Sequence, residues 1–466
     1  MSSLAVILTF WFVTFCDKGG SKQLALGAEA LALRAEHGIA IDSLDYAVST
    51  VYVDSLRKKG ARICHTSRWM NGATIEASQE SANAINGLPF VKSIEATKLT
   101  EGGKSCSVRK LALETKEDIK PDYREQLELF NLHRLHEKGY KGQGITIGVL
   151  DVGFRNLLTL TAFDSIRKNG QLLGVYDFAD EVTDIYGEGS EHGATCLGLI
   201  AGNRADYQGA ANQAKFYVMR TEEYSTESPK EPDNWIAAVE KCDSLGVWIV
   251  STSLGYQTFD NPAWNYTQQQ MDGKTCRASR AATIAARKGL LLCTAAGNSA
   301  AKATPWIGVP GDADSTLTVG AVGRDSVWAY FSSLGPTADG RIKPDVMALG
   351  LGSTLINPAN EELRTGNGTS LATPLLAGFA ACLWSAFPTE TNMQIRERII
   401  QSAHRVATPD GNYGYGIPDA WKAYQLGTDI QEQGRVRVES AQKVLKNGQV
   451  IIERNGERYS IMGQKL

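Results

Sequence analysis

The sequence predicts an α/β protein whose main sheet is parallel and covered by helices on both faces. Near-continuous apolar runs predict its strands at 145–150, 216–219, 247–251, 290–294 and 316–322, and helical segments at 194–201, 233–245 and 277–288 lie between them. Strands buried on both faces have this continuous apolar character, and helical crossovers keep such strands parallel. We place this domain at residues 123–427.

A smaller α+β unit is predicted in residues 1–100. Strand-like runs at 10–15, 61–69 and 91–95 alternate with helix-like runs at 28–37 and 79–86. The first fifteen residues are apolar, but they lack a basic n-region and a small-residue cleavage site, and a membrane span needs about 20 apolar residues. They are either a degraded export signal or a buried first strand, and the pattern at 11–15 favours the strand.

Two further segments flank the central domain. Residues 101–122 are polar and contain Gly102, Gly103 and Pro121, which predicts an exposed linker with a processing site. In residues 428–466, short β-like runs surround two Asn-Gly pairs, which are strong hairpin signals. We therefore expect a separate C-terminal β tail.

Composition excludes several classes of protein. The chain of 466 residues has 48 Lys and Arg against 51 Asp and Glu, without long basic runs, so nothing predicts nucleic-acid binding. Its 8 cysteines form no CxxC pair, which argues against a zinc site, and Cys196, Cys293 and Cys382 lie in apolar segments typical of buried free thiols. The apolar stretch 371–387 is broken by Pro374 and predicts a buried helix rather than a membrane span.

Three polar residues lie where chemistry is expected. Asp151 follows the strand 145–150, at the edge of the sheet where ligands gather. His192 opens a helix of small residues, and Ser370 begins a long apolar helix after Gly366 and Gly368. Each has a simpler interpretation when taken alone: a turn aspartate, a helix-start histidine and an N-cap serine.

Taken together, these residues predict a catalytic triad. The order Asp…His…Ser is one of three chain orders found in serine-hydrolase triads. A serine hydroxyl is a poor nucleophile until an imidazole takes its proton, and a carboxylate fixes the tautomer of that imidazole. Asn298 follows a buried strand and Gly297, where its amide would face the developing oxyanion.

The motifs around these residues resemble the subtilases, the subtilisin-like serine endopeptidases. The D-x-G motif is at 151–153, the H-G-T-like motif at 192–195 and the G-T-S-x-A-x-P motif at 368–374. Asn298 stands in the A-G-N context of the family's oxyanion asparagine. Ala194 departs from the threonine that usually follows His-Gly, although Thr195 comes next. The resemblance covers about residues 125–425.

The resemblance implies a doubly wound, mostly parallel subtilisin-like sheet and a serine endopeptidase acting on proteins or peptides. Its implied site residues are Asp151, His192 and Ser370 as the triad, Asn298 for the oxyanion, and Ser253, Leu254, Gly255, Ala296 and Gly297 for substrate binding. It implies no catalytic cofactor. Structural calcium is frequent in the family, but no Asp-rich run marks a site here.

The resemblance also implies roles for the flanking segments. Residues 1–100 resemble an α+β propeptide that serves as intramolecular chaperone and inhibitor, closest to those of secreted Bacteroidetes subtilases, and 34–42 matches segments found there. The tail resembles short sorting or docking elements of exported proteins. We therefore expect a self-processing zymogen that is secreted, periplasmic or at the cell surface.

Three alternatives differ in class. A catalytically inactive subtilase-like peptide-binding module would commonly lack one catalytic residue, and here all four positions are filled. A nucleotide-binding enzyme would need a G-x-G-x-x-G or P-loop motif, and the sequence has neither after 145–150. An esterase would carry its serine in G-x-S-x-G, and Ala372 stands where the second glycine belongs.

Overall fold

The computed structural model describes residues 8–99, 120–179, 184–187, 189 and 191–428, together with the backbone of 441–446, 449–454 and 457–460. In this part of the chain, a four-stranded sheet near the N-terminus and an eight-stranded central sheet organise the fold. Most of the predicted linker lies outside the described residues, and the boundaries proposed for the four segments stay predictions.

The N-terminal unit is an antiparallel sheet in the order β2-β3-β1-β4 with helices beside it. Its strands are β1 Leu8–Phe15, β2 Arg62–Ser67, β3 Gly72–Ser78 and β4 Val91–Leu99, and its helices are α1 Ala28–Glu36, α2 Thr50–Lys58 and α3 Gln79–Asn86. The interpretation of the first apolar run as a buried strand is confirmed, because β1 lies between β3 and β4 and Val13 is fully buried.

The sequence analysis missed β3 and α2 for local reasons. Helix α2 opens with Thr50, Val51 and Val53, whose β-branched side chains favour strands locally, but Val53 packs in the core. In β3, a Cβ added to Gly72 would lie 2.2 Å from the carbonyl oxygen of Val13, so this strand depends on a close backbone approach.

The central sheet has the order β14-β13-β12-β11-β10-β5-β9-β6, parallel throughout except for the pair β13–β14. Its strands are β5 Thr146–Asp151, β6 Leu172–Asp177, β9 Lys215–Arg220, β10 Ile249–Thr252, β11 Leu291–Ala295, β12 Leu317–Gly323, β13 Val346–Ile356 and β14 Leu363–Asn367. All five strands predicted from apolar runs are present, and the predicted doubly wound, mostly parallel α/β sheet is confirmed.

The strand order reverses at β5. The chain first places β6 and β9 on one side of β5 and then adds β10 to β13 on the other. Such a switch point opens a crevice at the carboxyl ends of the strands, here called the carboxyl edge, and Asp151 is the last residue of β5. The opposite edge, where these strands begin, is the amino edge.

Helices cover both faces of the central sheet. Helices α7 Glu191–Ala201 and α10 Thr369–Ala386 belong to one apolar cluster, and α8 Lys230–Ser244 and α9 Arg277–Arg287 to another. The apolar stretch around Pro374 is confirmed as a buried helix: α10 is long and apolar enough to cross a membrane, but 89% of it is buried inside the fold. A Cβ on Gly378 would lie 2.3 Å from Ala210, so α10 packs at close range.

Four further α-helices and two short strands lie in the part of the fold before the tail. They are α4 Tyr123–Glu128, α5 Leu132–Glu137, α6 Asp164–Lys168, α11 Asn392–Ser402 and the two-residue strands β7 Asn203–Arg204 and β8 Tyr207–Gln208. The tail forms an antiparallel sheet of β15 Ala441–Lys446, β16 Gln449–Arg454 and β17 Glu457–Ser460, as the alternating pattern predicted. The predicted turns at 447–448 and 455–456 lie outside the described residues.

Candidate active site

Asp151 and His192 meet at the carboxyl edge. The Asp151 side chain is fully buried; its Oδ1 accepts the backbone N–H of Val152 at 2.8 Å and lies 2.7 Å from Nδ1 of His192. Because the carboxylate accepts, Nδ1 of His192 carries the hydrogen, and Nε2 is left as the basic nitrogen of the neutral ring. This is the tautomer in which an imidazole can take a proton through Nε2.

Two glycines make this contact possible. A Cβ added to Gly193 would lie 2.1 Å from the carbonyl oxygen of Gly153 and 2.8 Å from the Cβ of Asp151. Helix α7 therefore packs directly on the loop that follows β5, and this packing brings His192 to Asp151. Gly153 and Gly193 belong to the D-x-G motif and the H-G-T-like motif. The close approach of the two backbones is the physical reason for glycine there.

The charge on His192 is set by opposing effects. Burial is the largest single effect and disfavours the imidazolium, but the charge and the hydrogen bond of the Asp151 carboxylate oppose it, and the pKa of His192 lies well above 6.5. A base whose pKa lies above its ordinary value is a stronger proton acceptor once it is neutral.

Ser370 lies at the start of α10, and its carbonyl oxygen contacts Cys196, the residue that also contacts the His192 ring. It is the second residue of the helix, the N-cap is Gly368, and the simpler interpretation of Ser370 as an N-cap serine is therefore wrong. Its carbonyl oxygen accepts the Ser253 hydroxyl at 2.8 Å and the Cys196 thiol at 3.4 Å. Among the described residues, no hydrogen bond of 3.5 Å or less joins Ser370 Oγ to His192; such bonds are often long before substrate binds.

The space beside the serine is kept open by a glycine. Gly368 has φ +153°, and a Cβ there would lie 2.9 Å from Ser370 Oγ and 3.6 Å from Nδ2 of Asn298. The serine oxygen and the amide nitrogen of Asn298 therefore face the same small space. A substrate carbonyl entering this space would meet the nucleophile and a hydrogen-bond donor together.

Thr369 fixes the orientation of Asn298. The Oδ1 atom of Asn298 accepts the backbone N–H of Thr369 at 3.0 Å and its hydroxyl at 2.9 Å. With Oδ1 engaged as acceptor, the assigned amide orientation turns Nδ2 away from Thr369 as a donor. Sequence reasoning did not give Thr369 a role, although it is the threonine of the G-T-S motif.

Cys196 is a second residue without a predicted role at the site. It lies one helical turn after His192, and its sulfur is 3.7 Å from Nδ1 and 3.9 Å from Nε2 of that ring. Cys196 is fully buried and free, as predicted together with Cys293 and Cys382, and burial raises the pKa of its thiol. It therefore stays a neutral thiol packed between His192 and the Ser370 carbonyl.

The predicted substrate-binding residues lie at the same edge. Ser253 and Leu254 are buried and Gly255 is exposed just after β10, while Ala296 is buried and Gly297 partly exposed after β11. The Ser253 hydroxyl is engaged by the Ser370 carbonyl, so this side chain supports the serine backbone. Their role in binding substrate stays a prediction.

An acidic loop adjoins the site on the β9 side. The backbone N–H of Thr221 donates to the carbonyl oxygen of Asp151 at 3.0 Å, and Glu222, Glu227 and Glu231 follow. One carboxylate oxygen from each of these glutamates lies within 4.8 Å of the others. Oxygen ligands suit calcium, but both oxygens of Glu231 already accept backbone N–H groups, from Glu223 at 2.8 Å and Ser228 at 3.2 Å, so structural calcium stays a prediction without a located site. The absence of a catalytic cofactor stays a prediction.

Comparison with known proteins gives two family matches. Residues 142–416 match the subtilase family, Peptidase S8, and residues 11–111 match the Peptidase S8 propeptide domain of Bacteroidota. The first match spans the three residues of the predicted triad and Asn298. The second spans the N-terminal unit and continues beyond its last strand.

Individual proteins are also similar to this chain. Subtilisin NAT of Bacillus subtilis subsp. natto is 31% identical over 298 residues, which are 62% of this chain and 68% of that protein. Serine protease AprX of Bacillus subtilis is 28% identical over 311 residues, 60% of this chain and 66% of the relative. The crystal structure of MycP1 from the ESX-1 type VII secretion system has a TM-score of 0.52 at 17% identity, covering 67% of this chain and 88% of the other; this likeness concerns the fold.

The matched region holds Ser370 together with Asp151 and His192, which are in contact at the carboxyl edge, and it is preceded by a matched propeptide domain. The chain belongs to the subtilase family of serine peptidases, with an N-terminal propeptide domain of the Bacteroidota type.

Proposed function

We propose that the chain is a zymogen of an endopeptidase that cleaves proteins or peptides through Asp151, His192 and Ser370. The observation that carries the proposal is the 2.7 Å contact between His192 Nδ1 and Asp151 Oδ1. It lies at the switch point of the sheet, with Ser370 and Asn298 beside it. An inactive peptide-binding module would have no need for an imidazole held in this tautomer.

In the proposed mechanism, Ser370 Oγ attacks the carbonyl carbon of the scissile peptide bond while His192 Nε2 takes the hydroxyl proton. Asp151 stabilises the imidazolium that results, because its carboxylate faces Nδ1 at 2.7 Å. His192 then gives the proton to the leaving amine, and an acyl-enzyme on Ser370 remains. Water, deprotonated by the same imidazole, releases the acyl group and restores Ser370.

The tetrahedral intermediates carry a negative oxygen that needs donors. The Nδ2 group of Asn298 supplies one, and the backbone N–H of Ser370 at the start of α10 supplies another. Thr369 holds Asn298 in place before the reaction, so little reorganisation is needed. These steps use side chains and one backbone N–H of this chain together with water, and we expect metal chelation to leave the chemistry unchanged.

The substrate is proposed to bind as an extended strand along Ser253, Leu254 and Gly255, with pockets near Ala296 and Gly297. A peptide added beside a strand gains main-chain hydrogen bonds that do not depend on its side chains. The propeptide domain is proposed to act as intramolecular inhibitor until it is cut off within 101–122. Relatedness to subtilisins and to Bacteroidota propeptides supports the further proposal that the protein is exported.

Intact mass of the wild-type chain beside Ser370→Ala tests the proposal. The expected result is loss of an N-terminal piece ending between about residues 100 and 124 in wild type only. If both chains stay whole, a serine-reactive phosphonate decides whether the site is active, and no adduct would reject the proposal. If both are clipped alike, a host protease cut the linker, and peptide hydrolysis by the clipped Ser370→Ala chain at the wild-type rate would reject it.

A further inference from the structure

The segment that leads into Ser370 is strand β14. It is the last strand in the sheet order and pairs with β13 in antiparallel register. The strand ends at Asn367, and Gly368 and Thr369 then connect it to Ser370. A charged side chain on β14 is therefore only a few residues away from the nucleophile.

Arg364 is the one charged residue of β14. Its partner across the strand pair is Leu355, which is fully buried in the apolar cluster that also contains residues of α7 and α10. Residues that lie directly opposite each other in antiparallel strands point their side chains to the same face of the sheet. Arg364 therefore projects onto the face that carries α7, the helix that begins with Glu191 and His192.

Within the described residues, Arg364 has no partner for its charge. Its Nε atom is buried without a hydrogen-bond partner, and in this part of the chain its guanidinium group takes part in no hydrogen bond or ion pair. Arg34, Arg68 and Arg324 also contain a buried nitrogen without a partner, but each of these three forms an ion pair. The combination of burial and a missing partner distinguishes Arg364 from those three arginines.

The carboxylates close to Arg364 in the fold or in the chain are held by other groups. Glu191 forms an ion pair with Arg155. It acts on Arg364 through its charge, because burial lowers the pKa of Arg364 and the Glu191 carboxylate opposes this shift. Glu361 accepts a threonine hydroxyl, and Glu362 accepts a side-chain amide N–H at 2.7 Å. The Arg364 guanidinium therefore remains available to a carboxylate from outside the chain.

The sheet order relates Arg364 to the two halves of a substrate. In the proposed function, the residues before the scissile bond lie along 253–255, which follow β10. Strands β11, β12 and β13 separate β10 from β14. Ser370 is tied to both ends of this row, by the 2.8 Å hydrogen bond from Ser253 and by its short connection to β14. An extended substrate that starts along 253–255 and passes Ser370 therefore continues toward β14 and Arg364.

We propose that Arg364 binds a carboxylate in the part of the substrate that follows the scissile bond, so that the endopeptidase prefers an acidic group shortly after that bond. A guanidinium group binds a carboxylate through two parallel N–H···O bonds, which supply the partner that Arg364 lacks. This inference rests on the proposed function, because it assigns the substrate class of the same site. The carboxylate comes from one of two sources, an Asp or Glu side chain or the C-terminus of a peptide that is cut near its end.

Matched peptides measure the preference and separate the two sources. The first set is amidated at the C-terminus and carries either Glu or Gln at the first, second or third position after the scissile bond. The second set has Gln at these positions and ends after the third in either a free carboxylate or an amide. We expect matured wild type to cleave the acidic member of at least one pair with a kcat/KM about tenfold higher, and this ratio should fall as the salt concentration rises.

Substitutions of Arg364 test whether this residue causes the preference. Arg364→Gln removes the charge, and the kcat/KM ratio should fall to within about twofold of unity. Arg364→Lys keeps a charge without the planar fork and should give an intermediate ratio. Arg287→Gln is the control, because Arg287 is exposed at the end of α9, at the amino edge. A purely structural Arg364 would instead lower the midpoint of thermal unfolding in Arg364→Gln and leave the ratio unchanged.

Two results would overturn the proposal. One is a wild-type kcat/KM ratio within about twofold of unity for every peptide pair. The other is a ratio in Arg364→Gln that equals the wild-type ratio. If wild type hydrolyses none of the peptides, the proposed function fails, and fluorescence anisotropy of the same labelled peptides bound to the chain decides this inference separately. Tighter binding of the acidic peptide that is lost in Arg364→Gln would support it, and equal affinities would reject it.

Discussion

The two edges of the central sheet are built differently. At the amino edge, Arg34 has carboxylate partners within 3.0 Å in Asp45 and Asp243, and Lys288 has two in Asp42 and Asp45. At the carboxyl edge, within the described part of the chain, Oδ2 of Asp151 is buried without a hydrogen-bond partner and Ser370 Oγ makes no hydrogen bond to His192. Buried polar atoms without a hydrogen-bond partner occur at both edges, because among the described residues Nη1 of Arg34 and Nε of Arg68 also have none. The edges differ in charge pairing. Opposite charges pair at the amino edge and join the N-terminal unit to the central domain, whereas at the carboxyl edge the Asp151 carboxylate faces a histidine that can change its charge.

The largest effect on kcat is expected from replacing His192, the general base at the carboxyl edge. Replacing His192 by Ala removes the proton acceptor, and kcat should fall by about a million-fold, since a triad acts as a unit. The measurement is single-turnover hydrolysis of a peptide by the matured chain. His404→Ala, at an exposed position just after α11, is the control; an equal loss there would show that histidine substitution acts through folding.

Asp151→Asn should cause the second-largest loss of kcat. The asparagine no longer favours the reactive tautomer of His192, and about 10,000-fold loss of kcat is expected. Active-site titration separates this loss from a smaller amount of folded enzyme. A variant that keeps more than a tenth of the wild-type kcat would contradict the assigned partner of the histidine.

Asn298→Ala should cost about 100- to 1,000-fold in kcat with little change in KM, because one oxyanion donor is lost. Asn360→Ala, on an exposed turn, serves as the matched control. A rise in KM at constant kcat would instead place Asn298 in substrate binding.

The pH dependence of kcat/KM tests how the charge of Asp151 controls the reactivity of His192. His192 must be neutral to take a proton, and Asp151 raises its pKa well above 6.5, so activity should be lost as the pH falls through a value above 6.5. In Asp151→Asn, burial remains while the raising charge is gone, and the residual activity should persist to lower pH. The acid limb of the pH profile is measured as kcat/KM between about pH 5 and 10. An acid limb that is the same in Asp151→Asn and wild type would contradict the assignment of the raised pKa to Asp151.

Thr369→Val should have the smallest effect. It removes the hydroxyl that donates to Asn298 Oδ1 at 2.9 Å but keeps the backbone N–H at 3.0 Å. The loss of one of two orienting bonds is expected to lower kcat by about tenfold at most. Thr369 is a positioning residue in this account, so Asn298→Ala combined with Thr369→Val should be no slower than Asn298→Ala alone.

The sequence allowed the central sheet and the site to be predicted to different extents. The strands around 145–150 and 290–294 are continuous apolar runs, and these were correctly placed. Strand β13 was missed because its GLGS sequence gives no clear period, yet it pairs with β12 and β14 in the core. The local sequence pattern identifies a strand whose residues are uniformly buried. It fails for a strand whose formation depends on its pairing partners.

The site shows the same limit. Asp151 and His192 were matched through their motifs, and the structure places them 2.7 Å apart. Cys196 and Thr369 received no role, because their contacts depend on how α7 and α10 face each other. The contact of Arg34 with Asp243 joins positions 209 residues apart and has no local signal in the sequence. Charge pairs across an interface become visible only when both surfaces are in place.

The most direct test of the central claim is to locate the reactive serine. Matured wild-type chain is treated with a fluorophosphonate, digested and mapped by mass spectrometry. The account predicts one stoichiometric adduct, on Ser370, whose formation stops peptide hydrolysis and is lost in His192→Ala. Continued hydrolysis with Ser370 unlabelled, or a stoichiometric adduct on another serine, would contradict it.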